Sequence, residues 1–547
     1  MSIPAPPRPS RAGGLPAHRR IILGALAMMM ITAVGVIGPT SAAAAAPLTR
    51  VSLTFDDSNA DELTAEQTLD TNGLHGTFYT ISSYINAPDH FTLANLNTIA
   101  ADGNEIAGHT VTHPDLTTLS TDEATRQICN DRVNLTNWGF QVTDFAYPFA
   151  AATAATEAIA KGCGYNSARG LGDIKTQIGC GGCAFAETTP PADPYYTKAP
   201  DEVDSTWTLT DLQNVVTNAE THGGGWVQLT FHHICAGCNP LSITPDLFNQ
   251  FVAWLAPRAV TNNTVVQTVQ QVIGGPLQPA VAGPAVPPAA PGVNGAQNPS
   301  LETAGTTALP QCWMAGGYGA NTPTFTTTTN PAAAHTGAKA EQLGVSGYSS
   351  GDAKLLPTLD LGACAPSVTT GHTYSLRAWY TSTAVTQFVV YYRTSLGSWA
   401  YWTSSPWFAS APAWTQAVWT TPAIPAGATG LSFGLNLFGN ATLNTDDYSL
   451  YDTMGAPATA ATRAPAGASA GRLAPIVPAP PGASVKVTTQ SPLYAPPDND
   501  EPVGPAAHKA RADRHAPSPP RKIHLVPGPN LLKPGVPFVL EEGAMTG

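Results

Sequence analysis

Charge is scarce in this chain, and basic charge is scarcer still. Only 11 % of its 547 residues are charged, with 25 Lys and Arg against 37 Asp and Glu, a formal net charge of −12. Nucleic-acid binding as the main task needs a basic footprint and is excluded on that balance. A long helical bundle or coiled coil is excluded by the 50 Gly and 51 Pro, which break helices and favour strands, loops and linkers. Beyond residue 37 no apolar stretch approaches the roughly 18 residues that announce a membrane-spanning helix. What the chain does have is length for about two to four domains. Its 43 % hydrophobic residues, with 11 Trp, 16 Tyr and 16 Phe, suffice for real cores.

Residues 1–46 read as an export signal. Arg11, His18, Arg19 and Arg20 precede an apolar run over 21–37, and Gly38-Pro39 breaks it before the small residues Ala42 to Ala46. Cleavage there leaves a protein outside the cytoplasm, with no membrane attachment and as an expected monomer; a retained anchor is the alternative. The eight cysteines fit an oxidising compartment. Cys312 and Cys364 stand apart from the rest and are expected to pair. Cys180/Cys183 and Cys235/Cys238 are C-x-x-C pairs, which in an exported protein favour disulfides over a four-thiolate zinc site. Connectivity among those four, Cys129 and Cys163 is not legible.

Composition divides the remainder. Residues 47–273 alternate β-type runs (51–55, 76–81, 105–110, 144–149, 165–169, 226–234) with helix-like stretches (61–69, 93–101, 120–137, 151–161). That alternation predicts an α/β domain built on a parallel sheet or barrel. Residues 274–297, rich in Pro, Ala and Gly, read as a semi-stiff linker. Residues 298–454 carry short alternating runs rich in Thr, Ser and aromatics, the texture of an all-β sandwich. Residues 455–547, rich in Ala and Pro, read as a disordered tail.

The candidate chemistry lies at strand ends. Residues 51–55 run into Asp56-Asp57, and two adjacent carboxylates at the end of an apolar strand need a compensating metal or proton. His109 and His113 stand at i and i+4, a spacing that one helical turn brings together on a metal. One Asp with two His leaves open coordination positions, as catalytic sites require.

Four segments carry a family resemblance. Thr54-Phe55-Asp56-Asp57 resembles the T-F-D-D-G motif of polysaccharide deacetylases, the NodB-homology domains of carbohydrate esterase family 4. His109-Thr110-Val111-Thr112-His113 resembles their H-[ST]-x-x-H. Residues 145–150, FAYPFA, resemble R-x-P-[YFW]-G, and residues 229–234, LTFHHI, resemble the strand ending in a catalytic His. The resemblance implies a distorted (β/α) barrel of NodB type with its site at the C-terminal strand ends. It implies Asp57, His109 and His113 as ligands of a divalent metal, usually Zn2+, and Asp56 as general base. It gives the oxyanion to the N–H of Phe149, with Tyr147 beside it, and the leaving group's proton to His232. Imidazole, which titrates near neutrality, suits that role. Neighbouring strand residues face opposite ways, so either His232 or His233 enters the site, and the family pattern selects His232. The implied reaction is deacetylation of an acetylated polysaccharide: a chitin-type polymer, peptidoglycan or xylan. Three departures stand out: Ser58 and Ala150 replace family glycines, and Ala146 replaces the Arg that pairs with the catalytic Asp. Arg169 is the candidate substitute. A binding or scaffold protein with an inactive deacetylase-like domain is the competing reading.

The sandwich reads as a jelly-roll-like carbohydrate-binding module. Trp399, Tyr401 and Trp407 sit among Gly, Ser and Pro, where exposed rings can stack on sugars. The acidic ends around Glu302 and Asp446-Asp447 resemble positions that hold structural Ca2+ in such modules.

Overall fold

A computed structural model describes residues 46–177, 179–454, 472–480 and 493–494. The expected export signal, apart from Ala46, and most of the expected disordered tail lie outside the described residues. Among the described residues no helix is long and apolar enough to cross a membrane.

The first part is a curved parallel sheet backed by helices. Its strands are β1 (Thr49–Phe55), β2 (Thr77–Thr80), β3 (Glu105–Gly108), β4 (Asp144–Ala146), β5 (Ser167–Arg169) and β6 (Gly225–Phe231), in the order β5-β4-β3-β2-β1-β6. Two short strands, β7 (His233–Ile234) and β8 (Ser242–Ile243), pair with each other, and β9 (Thr264–Val266) joins β1 along its N-terminal half. The helices are α1 (Leu63–Thr71), α2 (Leu93–Ala101), α3 (Thr121–Asn137), α4 (Ala154–Gly162), α5 (Leu209–Thr221), α6 (Pro245–Leu255), α7 (Arg258–Thr261) and α8 (Val269–Ile273). This half-barrel is the fold that the resemblance implies.

Side-chain alternation along each strand separates two environments. Val51, Leu53 and Phe55 of β1, Phe78, Ile106, Phe145, Ala168, Val227 and Leu229 face the helices and form the main core. The intervening residues face inward: Trp226 Nε1 donates to Ser52 Oγ (2.9 Å), and Thr54, Tyr79, Ala107, Ala146, Arg169 and Thr230 share that side. Helix α3 covers the predicted stretch 120–137: Ser120 Oγ accepts the Glu123 N–H, and Asp122 and Glu123 place negative charge in its first turn.

At the opposite end of the sheet from the strand C-termini, Glu105 and Asp144 form a buried carboxyl pair, with Glu105 also accepting from Thr77 Oγ1 (2.8 Å) and the Gln270 N–H (2.9 Å). Burial pushes both carboxyls up, and the negative charge of Asp144 adds to the rise at Glu105. A raised folded-state pKa means that folding takes up a proton. The stabilisation is full below the ordinary carboxyl range of about 4 and is lost as pH rises. Glu105→Gln keeps a donor toward Asp144 and removes Glu105's share of the proton uptake. Its thermal stability is expected to fall less than wild type between about pH 5 and 7; an unchanged pH slope counts against the shared proton.

The second part is a two-sheet sandwich, antiparallel except at one short edge strand. One sheet runs β10 (Trp313–Tyr318), β13 (Asp352–Pro357), β19 (Ala428–Leu437), β15 (Phe388–Thr394), β16 (Trp399–Ser404) and β23 (Leu493–Tyr494). The other runs β11 (Thr322–Thr328), β12 (Ala340–Ser346), β20 (Ala441–Asp452), β14 (Tyr374–Ser382), β18 (Ala411–Thr420) and β21 (Arg472–Leu473), the last parallel to β18; β17 (Trp407–Phe408) pairs with β22 (Ile476–Val477). Tyr374, Leu376, Ala378 and Tyr380 from one sheet meet Leu431, Phe433, Leu435 and Leu437 from the other, each set at every second position. Three strands, β21, β22 and β23, come from the region expected to be a disordered tail.

Disulfides join Cys129–Cys163, Cys180–Cys183, Cys235–Cys238 and Cys312–Cys364. The expected Cys312 pair forms, and each C-x-x-C closes on itself. The Pro/Ala/Gly stretch read as a spacer lies along α3: Arg132 donates to the carbonyls of Gln278 (2.6 Å) and Pro279 (2.9 Å), and Asn130 accepts the Gly283 N–H (2.8 Å). An extended chain without partners of its own can satisfy its carbonyls this way, which composition alone does not reveal.

Candidate metal and hydrolytic site

The C-terminal strand ends gather the candidate residues. Asp56 and Asp57 follow β1, His109 follows β3, residues 147–149 follow β4, Arg169 ends β5 and His232 follows β6. Alternation carries Asp56, His109 and His232 onto the inward side, where Thr54, Ala107 and Thr230 already point.

Asp57 Oδ1 lies 3.3 Å from both His109 Nε2 and His113 Nε2. The three donor atoms fall within 4.8 Å of one another. His109 Nδ1 donates to the Ala146 carbonyl (2.8 Å), which fixes the ring with Nε2 turned toward Asp57. Burial pushes the His113 imidazole down to about 4, with the nearby His109 and His232 adding to the fall, so it is neutral and able to ligate at neutral pH. At His109 burial acts the same way, but the Asp57 hydrogen bond and the charges of Asp56 and Asp57 outweigh it and raise the pKa. One carboxylate and two imidazoles, oriented on one point, fit a divalent metal. A second cluster, Asp61 with Cys235 and Cys238, does not fit: its sulfurs are bonded to each other and offer no thiolate.

The histidines do not share a helical turn. Residues 109–113 form a loop with Thr110 (φ 70°) and His113 (φ 57°) in left-handed conformations, and the i+4 spacing closes through those two reversals. Asp131 of α3 braces the loop, accepting the N–H groups of Ser82 (3.1 Å) and His109 (3.1 Å). Sequence reading does not pick Asp131 out. Its signal is an acid on the core side of α3, between Ile128 and Leu135, where an unpaired carboxylate would be costly.

Arg169, the candidate substitute for the motif arginine, does reach Asp56. Ala146 and Arg169 are register partners on β4 and β5, so a side chain from either enters the same space. The Arg169 guanidinium pairs with Asp56 Oδ2, reaches Thr230 Oγ1, and lies over the Tyr79 ring (4.9 Å). Asp56 Oδ1 has no hydrogen-bond partner among the described residues. The two missing family glycines mark genuine left-handed positions: Ser58 has φ 63° and Ala150 φ 47°. Ser58 also uses its hydroxyl, which accepts the Ile81 N–H (3.2 Å).

The two histidines of β6–β7 separate as alternation requires. His233 Nδ1 bonds Asp61 Oδ2 (2.9 Å), whereas His232 lies close enough to His113 to lower its pKa. The Phe149 ring packs on His113, with centroids 4.7 Å apart. Tyr147 is a correction. It is buried in the core, its O–H donating to the Tyr195 carbonyl (2.9 Å), because one strand step past Ala146 turns it to the helix side.

The sandwich corrects two more expectations. Trp399 and Trp407 are buried, 2 % and 7 % exposed, and present no free face. Trp399 lies in a paired strand under the Arg393 guanidinium (5.8 Å), and Trp407 is in β17, its ring edge-on to Phe438 (5.9 Å). Their Gly, Ser and Pro neighbours are turn residues beside strands. Tyr401 is half-buried with its ring edge on Tyr391 (6.1 Å); Lys354 lies between Tyr391 and Tyr318, which is 54 % exposed. The acids expected to bind Ca2+ serve protein donors instead. Glu302 accepts the N–H groups of Ala338 and Lys339, Asp446 those of His335 and Thr336, and Asp447 holds His335 Nδ1 (2.5 Å). Among the described residues they form no three-ligand group.

Residues 44–168 match the family model described as polysaccharide deacetylase. Similar solved structures include the Xyl-CE4 domain of a multidomain xylanase from the hindgut metagenome of Trinervitermes trinervoides, at 18 % identity over 41 % of this chain and 89 % of that one, TM-score 0.28. A family 4 carbohydrate esterase from Streptomyces lividans, in complex with acetate, is 17 % identical over 44 % and 100 %, TM-score 0.29. Peptidoglycan deacetylase PdaC from Bacillus subtilis is 19 % identical over 41 % and 90 %, TM-score 0.26.

Proposed function

We propose that this chain, which carries a polysaccharide deacetylase domain, is an exported hydrolase that removes acetyl groups from a polysaccharide with the help of a divalent metal, zinc being the first candidate. The observation that carries this is the convergence of Asp57, His109 and His113 on one point beside the Asp56–Arg169 pair. A metal held by those three residues would polarise the acetyl carbonyl and lower the pKa of a water. Asp56 would take the water's proton as its oxygen bonds to the carbonyl carbon. Arg169 offsets the cost of burying that carboxylate and fixes its direction. The Phe149 N–H would donate to the developing oxyanion. His232 would give a proton to the sugar nitrogen or oxygen as its bond to carbon breaks, releasing acetate.

The reading of an inactive scaffold rests on Ala146, and Arg169 removes its main support. For the sandwich, a sugar-binding role is carried better by Tyr318, Tyr391 and Tyr401 than by the buried tryptophans, since a ring must be accessible to stack. Ca2+ has no part in this reading.

Acetate release by the full chain, with zinc, from chitin oligomers, peptidoglycan and acetylxylan tests the proposal. Release from at least one polymer, abolished by Asp57→Ala, is expected. Equal release by Asp57→Ala would sink it.

A further inference from the structure

We propose that the β-sandwich is part of the metal centre's support: the hairpin tip 394–398 and the loop 360–365 hold the back of the His109–His113 loop, with Gly397 as a positioning residue for the two histidines. This rests on Asp57, His109 and His113 being metal ligands.

The loop needs outside support. Thr110 is β-branched and sits at φ 70°, and His113 follows at φ 57°. Such conformations persist only where the surroundings over-determine them. Val111 lies between them, fully buried. Its outer face meets the sandwich. A Cβ added to Gly397 would come 2.5 Å from Val111 Cγ1 and 2.9 Å from Leu361 Cδ2, so bare backbone rests on Val111 there. Gly397 itself has φ 92°, a second reason for glycine.

Two hydrogen-bonded chains lead from the sandwich to the residues between the histidines. In the first, Ser398 Oγ donates to the Ser83 carbonyl (2.8 Å) and the Ser83 N–H donates to the Val111 carbonyl (3.1 Å). Asn134 of α3 ties the same elements together, donating to Leu396 O (2.9 Å) and Ser82 Oγ (3.1 Å). In the second, the Leu361 N–H donates to Glu123 Oε1 (2.7 Å), which also accepts from Gln127 Nε2 (3.4 Å). Gln127 closes on Thr112 from both ends, accepting its N–H (3.0 Å) and donating to its hydroxyl (2.8 Å). Leu361 is fixed in turn: the Asp360 carboxylate accepts the N–H groups of Gly362, Cys364 and Ala365, and Arg393 donates to the Asp360 carbonyl (3.1 Å). Buried polar chains of this kind fix geometry because a broken link leaves an unsatisfied group. The sandwich therefore does more than present polymer: removing it unbraces Val111 and Thr112, and with them the angle between the two imidazoles.

The test uses the full chain carrying Gly397→Val or Ser398→Ala, with the exposed Thr326→Ala as control. Zinc affinity is read by competition with a fluorescent chelator, ligand geometry by the visible spectrum of bound cobalt(II), and folding by thermal melts. Gly397→Val is expected to weaken zinc by about 10–100-fold, the range for groups that orient metal ligands, and to alter the cobalt spectrum. Ser398→Ala is expected to weaken it by a smaller factor, and Thr326→Ala to leave it unchanged. Zinc affinity indistinguishable from wild type in both folded variants would overturn the proposal. Should Gly397→Val fail to fold, Ser398→Ala, which removes one hydroxyl, decides alone. A wild-type chain that binds no zinc would instead overturn the metal assignment, and this inference with it.

Discussion

Arg169→Ala is expected to cost about 3–5 kcal/mol of stability, the penalty for breaking a buried ion pair from one side. It is also expected to lower kcat by about 10²–10⁴, the range for losing a positioned acid or base. Both partners are almost wholly buried, and Asp56 Oδ2 has the guanidinium as its partner while Oδ1 has none among the described residues. Without Arg169 the carboxylate would stand uncompensated beside Asp57. Because Ala146 lies in register with Arg169, restoring an arginine there offers a sharper check. The double variant Arg169→Ala with Ala146→Arg is expected to recover most of the lost activity, since the new guanidinium enters the space the old one left. Unchanged kinetics in the single variant would show that Asp56 does not depend on Arg169.

His232 and His233 give the second large contrast. His232→Ala is expected to lower kcat by about 10²–10⁴, as loss of a general acid does. His233→Ala is expected to leave kcat near wild type and to act on stability through its bond to Asp61. Adjacent residues at the junction of β6 and β7 thereby separate chemistry from packing by side-chain direction. Steady-state kinetics and thermal melts on both variants check this; the opposite assignment follows if His233→Ala is the inactive one.

What the sequence makes legible here is what is local. Six of the seven strands of the parallel sheet fall on short β-type runs such as 51–55, with Asp56 and Asp57 directly after one run, His109 and His232 near the ends of theirs and His113 three residues past the run 105–110; β9 falls on none of them. Helix α5 could have been read as well. Leu209, Leu212, Val215, Val216 and Ala219 repeat at helical spacing after a Thr208–Asp211 capping box, though its Thr, Asn and Val are weak helix formers. Helix α6 likewise opens on a Thr244 cap and Pro245. What is not legible depends on pairing between distant segments. That Arg169 occupies the place of a missing arginine follows from the β4–β5 register. That Trp399 and Trp407 are buried follows from their strand partners. That the Pro-rich stretch lies along α3 follows from Arg132 and Asn130, which composition gives no reason to single out. Tyr147 shows the finer limit: its motif puts it beside the site, and one step of strand alternation takes its ring into the core.

The central claim is that the Asp57, His109 and His113 cluster works through a bound metal. Acetate release should therefore be measured with the full chain stripped by a chelator and then titrated with zinc. Activity absent in the stripped protein and restored in proportion to zinc, reaching its plateau near one ion per chain, is the predicted result. Full activity in the stripped protein, or zinc-dependent activity that survives in Asp57→Ala, would contradict it.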